Sequence, residues 1–383
     1  MKKFLAPLLM IMLLFTCSNI FAATEPIKIG AIYNLTGDQS SLDAPSLNGF
    51  TLAAKEINAA GGVLGRKIQV VSLDGKTDQS ISTNAALKLV NVEKVAAIAG
   101  FSDSNYALAA GPIAQKAKIP FITSGATLPS MPDQVGDYFF MTPYGDNTQA
   151  YVGAEFASKD LKAKTAYVLK DTAMDFTVNL AAYFVERFKK INGKDAIVLE
   201  DNFKTGDQDF SAQVNRLKAL AKKPDLLYIS SGPSECGIIV KQIRAAGINT
   251  PVISGDGFDT PLLTELGGKG ANVETYFTTH ASLTSEEPKV KKFVHAYKNE
   301  FKSDPENAFA ALGYDTMYLI ADAIKRAKSV NPTAIRNALA KTSNFKAVTG
   351  TITYPANSRV PLKSVAVLKV VDGQFKFVKS VTP

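Results

Sequence analysis

The sequence predicts an α/β protein built of two doubly wound lobes, each a mostly parallel sheet covered by helices on both faces. Three observations carry that prediction. The chain has 383 residues, beyond the size at which a single hydrophobic core keeps growing. Short β-rich runs alternate with helical periodicity, and the alternation occurs twice along the chain. The segments after the strands are rich in Ser, Thr, Asp and Gly. In open parallel sheets, ligands bind beyond the carboxyl ends of the strands, where these residues would face them.

The first residues stand apart from the fold. Lys2 and Lys3 form a positive patch, Phe4 to Phe15 is an apolar run, and Ile20-Phe21-Ala22 ends in a small residue. The apolar run is about half of the ~20 residues that span a bilayer, so residues 1–22 read as a cleaved secretory signal. Secretion follows. Cys17 offers a rival lipoprotein anchor, but Phe15 is too large for a good lipobox. After cleavage Cys236 is the sole cysteine, which excludes an intrachain disulfide and leaves a buried packing role.

Beyond the signal, Ile27 to Tyr33 reads as the first strand. Leu47, Phe50, Ala54 and Ile57 then recur at helical spacing, and Gly61-Gly62 ends that helix, because glycine accepts a left-handed helix end. Ile68 to Leu73 is the second strand, followed by a helix around Ser80 to Val90. Val95 to Ala99, a helix through Ala114, and Ile119 to Thr123 complete the first run. The second run places strands at Thr165 to Leu169, Ala196 to Glu200, Leu226 to Ser230 and Pro251 to Ser254. Helices lie between them, near Phe176 to Ile191, Phe210 to Ala221 and Glu235 to Ala246. Glu286 to Lys341 is mainly helical, and Val365 to Val378 reads as a hairpin turned at Asp372-Gly373.

Composition removes several function classes. The formal charge is +8, but Lys and Arg are dispersed among acids, unlike the clustered patch of a nucleic-acid binder. Neither a dinucleotide fingerprint nor a phosphate loop is present. The two histidines, His280 and His295, read as structural or solvated, and no nucleophile has an adjacent base. No enzyme, cofactor or metal site is expected.

From Ile27 onward the sequence resembles the periplasmic leucine/isoleucine/valine-binding proteins, the type I solute-binding family of ABC transporters. The resemblance rests on Leu35-Thr36-Gly37, on GFTLAAKEINAAGGVLG from Gly49 to Gly65, and on Asp74. Gly100-Phe101-Ser102-Asp103-Ser104 and the run from Ile119 to Thr127 extend it. It implies a solute cleft between lobes joined by three crossings, a membrane permease as partner, and a monomer. The N-terminal lobe would comprise 24–144 plus 279–359, the other lobe 145–278 plus 360–383.

By the same resemblance, Ser104, the backbone of Gly125 and Thr127 would hold an amino acid's carboxylate, and Asp256 its ammonium, with Asp146 a further acid of the cleft. Phe101 belongs to the matching loop. Where relatives often carry Tyr, this chain has Leu42, Phe176 and either Gly232 or Pro233, so the side-chain pocket should be more apolar. Asp256 stands where close relatives carry the longer Glu. An amide or an aromatic carboxylate is the alternative ligand, and a sensor domain of the same fold the alternative role.

Overall fold

The computed structural model describes residues 25–382; the expected signal and Cys17 lie outside them. The first sheet holds β1 (Ile27–Tyr33), β2 (Ile68–Asp74), β3 (Ala97–Gly100), β4 (Phe121–Thr123) and β5 (Phe139–Met141). Its order is β2-β1-β3-β4-β5, and every pairing is parallel. β3, β4 and β5 are buried throughout, as strands covered on both faces must be.

The second sheet contains β6 (Ala166–Asp171), β7 (Ile197–Phe203), β8 (Leu226–Ser230), β9 (Val252–Ser254) and β10 (Thr275–Thr279). After the short β11 (Phe345–Ala347) and β12 (Gly350–Ile352), β13 (Val365–Val371) and β14 (Gln374–Val381) return to it. Its order is β14-β13-β10-β9-β8-β6-β7. β6 to β10 pair in parallel, whereas β13 runs antiparallel to β10. The hairpin turns at Asp372 and Gly373, with φ of +51° and +72°, the left-handed pair that matches strand twist.

The chain passes between the sheets three times: after β5, after β10 and before β13. The crossings brace one another. Met141 N donates to Arg359 O at 3.0 Å, Tyr354 Oη to Met141 O at 2.9 Å, and Lys363 Nζ to Thr142 O at 3.3 Å. Burial pushes the Lys363 ammonium down to about 8, with Asp315 pulling the other way.

Two helices from distant parts of the chain hold the first lobe together. Ser40–Ala59 packs against Ala308–Ala327. Glycines set the approach, since a Cβ on Gly49 would lie 1.8 Å from Ala310 O and one on Gly313 1.8 Å from Ser46 O. The first helix begins six residues before the expected start at Ser46 and runs through Pro45. The ring of Pro45 frees the carbonyl four residues earlier. That carbonyl, Ser41 O, is taken by Asn307 Nδ2 at 2.9 Å.

Candidate functional site

One residue early in the first helix organises the first lobe's half of the cleft. Asp43 is buried, and its carboxylate accepts from Asn34 N and Ser102 N, both at 2.7 Å. It thereby ties the segment after β1 to the segment after β3. Burial pushes its carboxyl up to about 7, against those backbone hydrogen bonds. The chain after β3 turns at Phe101, with φ of +59°, and enters the helix Ser104–Ala117, whose cap is Asp103.

A narrow cleft lies between the lobes and is lined from both of them. The first lobe contributes Gln39, Leu42, Ser102, Asp103 and Phe309; the second contributes Met174, Phe176, Gly232, Pro233, Asp256 and Gly257. These residues follow β1, β3, β6, β8 and β9, with Phe309 from the helix Ala308–Ala327. Among the described residues, no lysine or arginine lines the space. A larger groove, bounded by Lys289, Lys292, Tyr314 and Tyr318, lies away from this cleft.

The lobes touch around this space. Asn105 Nδ2 donates to Ala173 O at 3.4 Å, and its Oδ1 accepts from Asp175 N at 3.1 Å. Ser234 Oγ donates to Asp38 O at 3.1 Å, and Thr260 Oγ1 meets Ser41 Oγ at 3.0 Å.

Asp256 sits at the start of a single helical turn after β9. Its Oδ1 accepts from Gln149 Nε2 at 2.8 Å, and its Oδ2 lies 2.8 Å from His280 Nε2. A carboxylate only accepts, so Nε2 of His280 carries the proton. Burial holds the His280 imidazole below its ordinary value, against Asp256. Its ring packs at a tilt against Tyr144, centroids 4.4 Å apart, and meets the edge of Phe309 at 5.7 Å.

Asp146, the first residue of the helix Asp146–Lys159, also reaches this network. Gln149 Nε2 donates to its Oδ1 at 3.0 Å, while Oδ2 has no partner among the described residues. Burial raises the Asp146 carboxyl well above its ordinary value and Asp256 adds to the shift, with Thr127 and Gln149 opposing.

The expected site residues divide by position. Leu42, Phe176 and Asp256 line the cleft directly. Thr127 is buried beside Asp146, whose N–H its carbonyl accepts at 2.8 Å. Ser104 is buried, and its Oγ accepts from Leu128 N at 3.3 Å. A Cβ on Gly125 would meet Phe309 and Ser102 at 2.7 and 2.9 Å, which places it just behind the wall, and its N–H donates to Phe101 O at 3.1 Å. Phe101 faces away, its ring 6.3 Å from Phe121 in the first lobe's core.

Sequence reasoning did not single out Gln39, Phe309 or Gln149, whereas Asp103 and Met174 lie in the expected ligand-facing segments after the strands, Ser102 to Asn105 and Asp171 to Phe176. Gln149 carried a usable signal: it lies three residues after Asp146, one helical turn along the same face. His280 is fully buried in the acid's surroundings, so the solvated reading of it does not hold. The helical segments and β10 that lie between Asp256 and His280 concealed their meeting.

Comparison with known proteins agrees with this geometry. The family model described as periplasmic binding protein matches residues 26–374. A leucine-binding protein from Thermotoga maritima is 33% identical with a TM-score of 0.86, covering 93% of this chain and 99% of that one. A branched-chain amino acid transporter substrate-binding protein from Streptococcus pneumoniae, in complex with isoleucine, is 31% identical with a TM-score of 0.86. That match covers 94% of this chain and 100% of that one. A solute-binding protein of an ABC transporter from Rhodopseudomonas palustris, in complex with 3,4-dihydroxybenzoic acid, is 26% identical with a TM-score of 0.82. It covers 93% of this chain and 97% of that one. Two parallel-sheet lobes, three crossings and a cleft lined from both lobes accompany a family match over nearly the whole sequence, and the chain belongs to the periplasmic binding protein family.

Proposed function

We propose that this chain is the extracytoplasmic solute-binding component of an ABC transporter, and that it captures an amino acid with an apolar side chain. The observation that carries this reading is Asp256: a buried carboxylate on the cleft wall, held by Gln149 and His280, with no lysine or arginine among the described residues that line the cleft. A carboxylate held in that setting favours a cationic partner, because a buried charge is costly unless paired. A ligand ammonium supplies the pair. Leu42, Met174, Phe176 and Phe309 then offer an apolar surface to the side chain.

Ser104 and Thr127 place hydroxyls at the first lobe's end for the ligand's carboxylate, by the family resemblance. The relatives named for leucine and bound to isoleucine support the same class. No bond is made or broken; capture closes the lobes, and a membrane permease recognises the closed form. The secretory signal read at 1–22 delivers the chain to the periplasm, and it acts there as a monomer.

The aromatic walls, Phe176 and Phe309, favour one second reading, an aromatic carboxylate like that bound by the Rhodopseudomonas relative. A thermal-shift panel separates the two. A solute at 1,000 times its dissociation constant stabilises its binder by about 4 kcal/mol. Leucine, isoleucine, valine or methionine should raise the melting temperature by several degrees, and benzoates should not. A shift with dihydroxybenzoate and none with any amino acid would overturn the proposal.

A further inference from the structure

We propose that the Asp103 carboxyl carries a proton in the closed protein and donates it, through Oδ2, to the carboxylate of the captured solute, so that capture takes up one proton. This inference rests on the amino-acid reading above and adds a contact that the family resemblance does not supply.

The geometry at Asp103 is unusual for a helix cap. Its Oδ1 does the capping, accepting from Asn105 N at 2.8 Å. Its Oδ2 is buried and has no hydrogen-bond partner among the described residues, and the residue is 2% exposed while lining the cleft. An ionised carboxylate in that position would keep a bare anionic oxygen out of water, which is expensive.

The elements packed around Asp103 bring no cation to offset it. Asp43 approaches from the helix Ser40–Ala59, and Asp175 from the second lobe. Tyr106 lies on its own helix, and Asp146 is near enough to feel its charge. Closure itself creates part of this setting. The hydrogen bonds of Asn105 to Ala173 O and Asp175 N seat the second lobe's turn beside Asp103. Burial pushes the Asp103 carboxyl up to about 7, and Asp43 and Asp175 add to the shift.

A solute carboxylate at Ser104 and Thr127 would be one more anion in the same desolvated place. Two carboxyl groups so placed share one proton rather than both ionising. The Asp103 O–H remains covalently intact and donates a hydrogen bond to the solute oxygen; the proton itself comes from solvent as the lobes close. In the open protein water reaches Asp103 and the group returns toward its ordinary acidity. The bound state therefore holds more protons than the free state, and linkage requires affinity to fall as pH rises.

Titration calorimetry tests this with the tightest binder found among the twenty common L-amino acids. At pH 6, binding enthalpies in phosphate and in Bis-Tris should reveal uptake approaching one proton per solute. The dissociation constant should rise by up to about tenfold per pH unit between about pH 5 and 7 and level off above. Asp103→Asn keeps a cap and a hydrogen-bond donor without a titrating group. It should bind with no proton uptake and little pH dependence. Wild-type binding without proton uptake, or uptake that persists in Asp103→Asn, overturns the proposal while leaving the amino-acid reading intact. If no amino acid binds either protein, that reading fails, and this contact fails with it.

Discussion

Asp256→Asn is expected to weaken amino-acid binding by about 10- to 150-fold while leaving the fold in place. Hydrogen bonds to a charged group contribute about 1.5–3 kcal/mol, and each 1.4 kcal/mol is about tenfold in affinity. The substitution isolates the charge because asparagine fits the existing network. Its carbonyl can accept from Gln149 Nε2 as Asp256 Oδ1 does at 2.8 Å. Its amide can donate to His280 Nε2, now 2.8 Å from Oδ2, once the neutral ring moves its proton to Nδ1. Calorimetry on the two proteins measures the loss, and a melting curve checks that folding survives. Undiminished affinity in Asp256→Asn would mean that the solute brings no ammonium to this carboxylate, and a neutral or anionic ligand would replace the amino acid.

Gly49→Ala should destabilise the protein by about 3 kcal/mol or more, although helix propensity alone argues for the opposite sign. Alanine favours a helix interior over glycine by about 1 kcal/mol. Against that stands a Cβ placed 1.8 Å from Ala310 O and 2.9 Å from Ala310 C, which are backbone atoms that no side-chain rotation can clear. Overpacking costs about 1–3 kcal/mol even where side chains can yield, so packing wins and the two helices must separate. Gly313→Ala makes the reciprocal clash with Ser46 O and should behave alike. Urea denaturation gives the midpoint for each variant. A Gly49→Ala protein as stable as wild type would mean that these helices do not approach as closely as described.

The same two glycines show what could be read without coordinates and what could not. Gly49 belongs to a stretch whose apolar spacing marks a helix, but nothing local reveals that its neighbour lies some 260 residues later. Strands with long apolar runs were legible: Leu226–Ser230 has its expected limits, and the hairpin turns at the expected Asp372-Gly373. Cys236, expected to be packed inside, is fully buried with Sγ donating to Pro233 O at 3.1 Å.

Some short strands were not legible, although the equally short β4 and β9 lie within expected runs. Phe139–Met141 and Phe345–Ala347 have three residues each, too few to show any period, and their pairing comes from tertiary neighbours. Likewise the first helix reaches back to Ser40 with Asn307 taking up Ser41 O, the carbonyl that Pro45 leaves unmet.

In the site, strand ends pointed to the loops, and Leu42, Phe176 and Asp256 meet across the cleft from both lobes. Side-chain direction was beyond such reading. Phe101 and Asp103 share one loop, yet the first turns into the core and the second into the cleft. The positive φ at Phe101, which no residue pattern announced, sets that difference. Gln149 and His280 join Asp256 over 107 and 24 residues, separations at which sequence spacing carries no information about contact.

Closure of two lobes over the solute is the central claim, and small-angle scattering with and without ligand tests it most directly. The closed form is held by contacts such as Asn105 with Asp175 and Ser234 with Asp38, which open lobes cannot make. At saturating amino acid the radius of gyration should fall, with a profile matching the closed structure. A profile unchanged between ligand-free and saturated protein would contradict a cleft that closes on its solute.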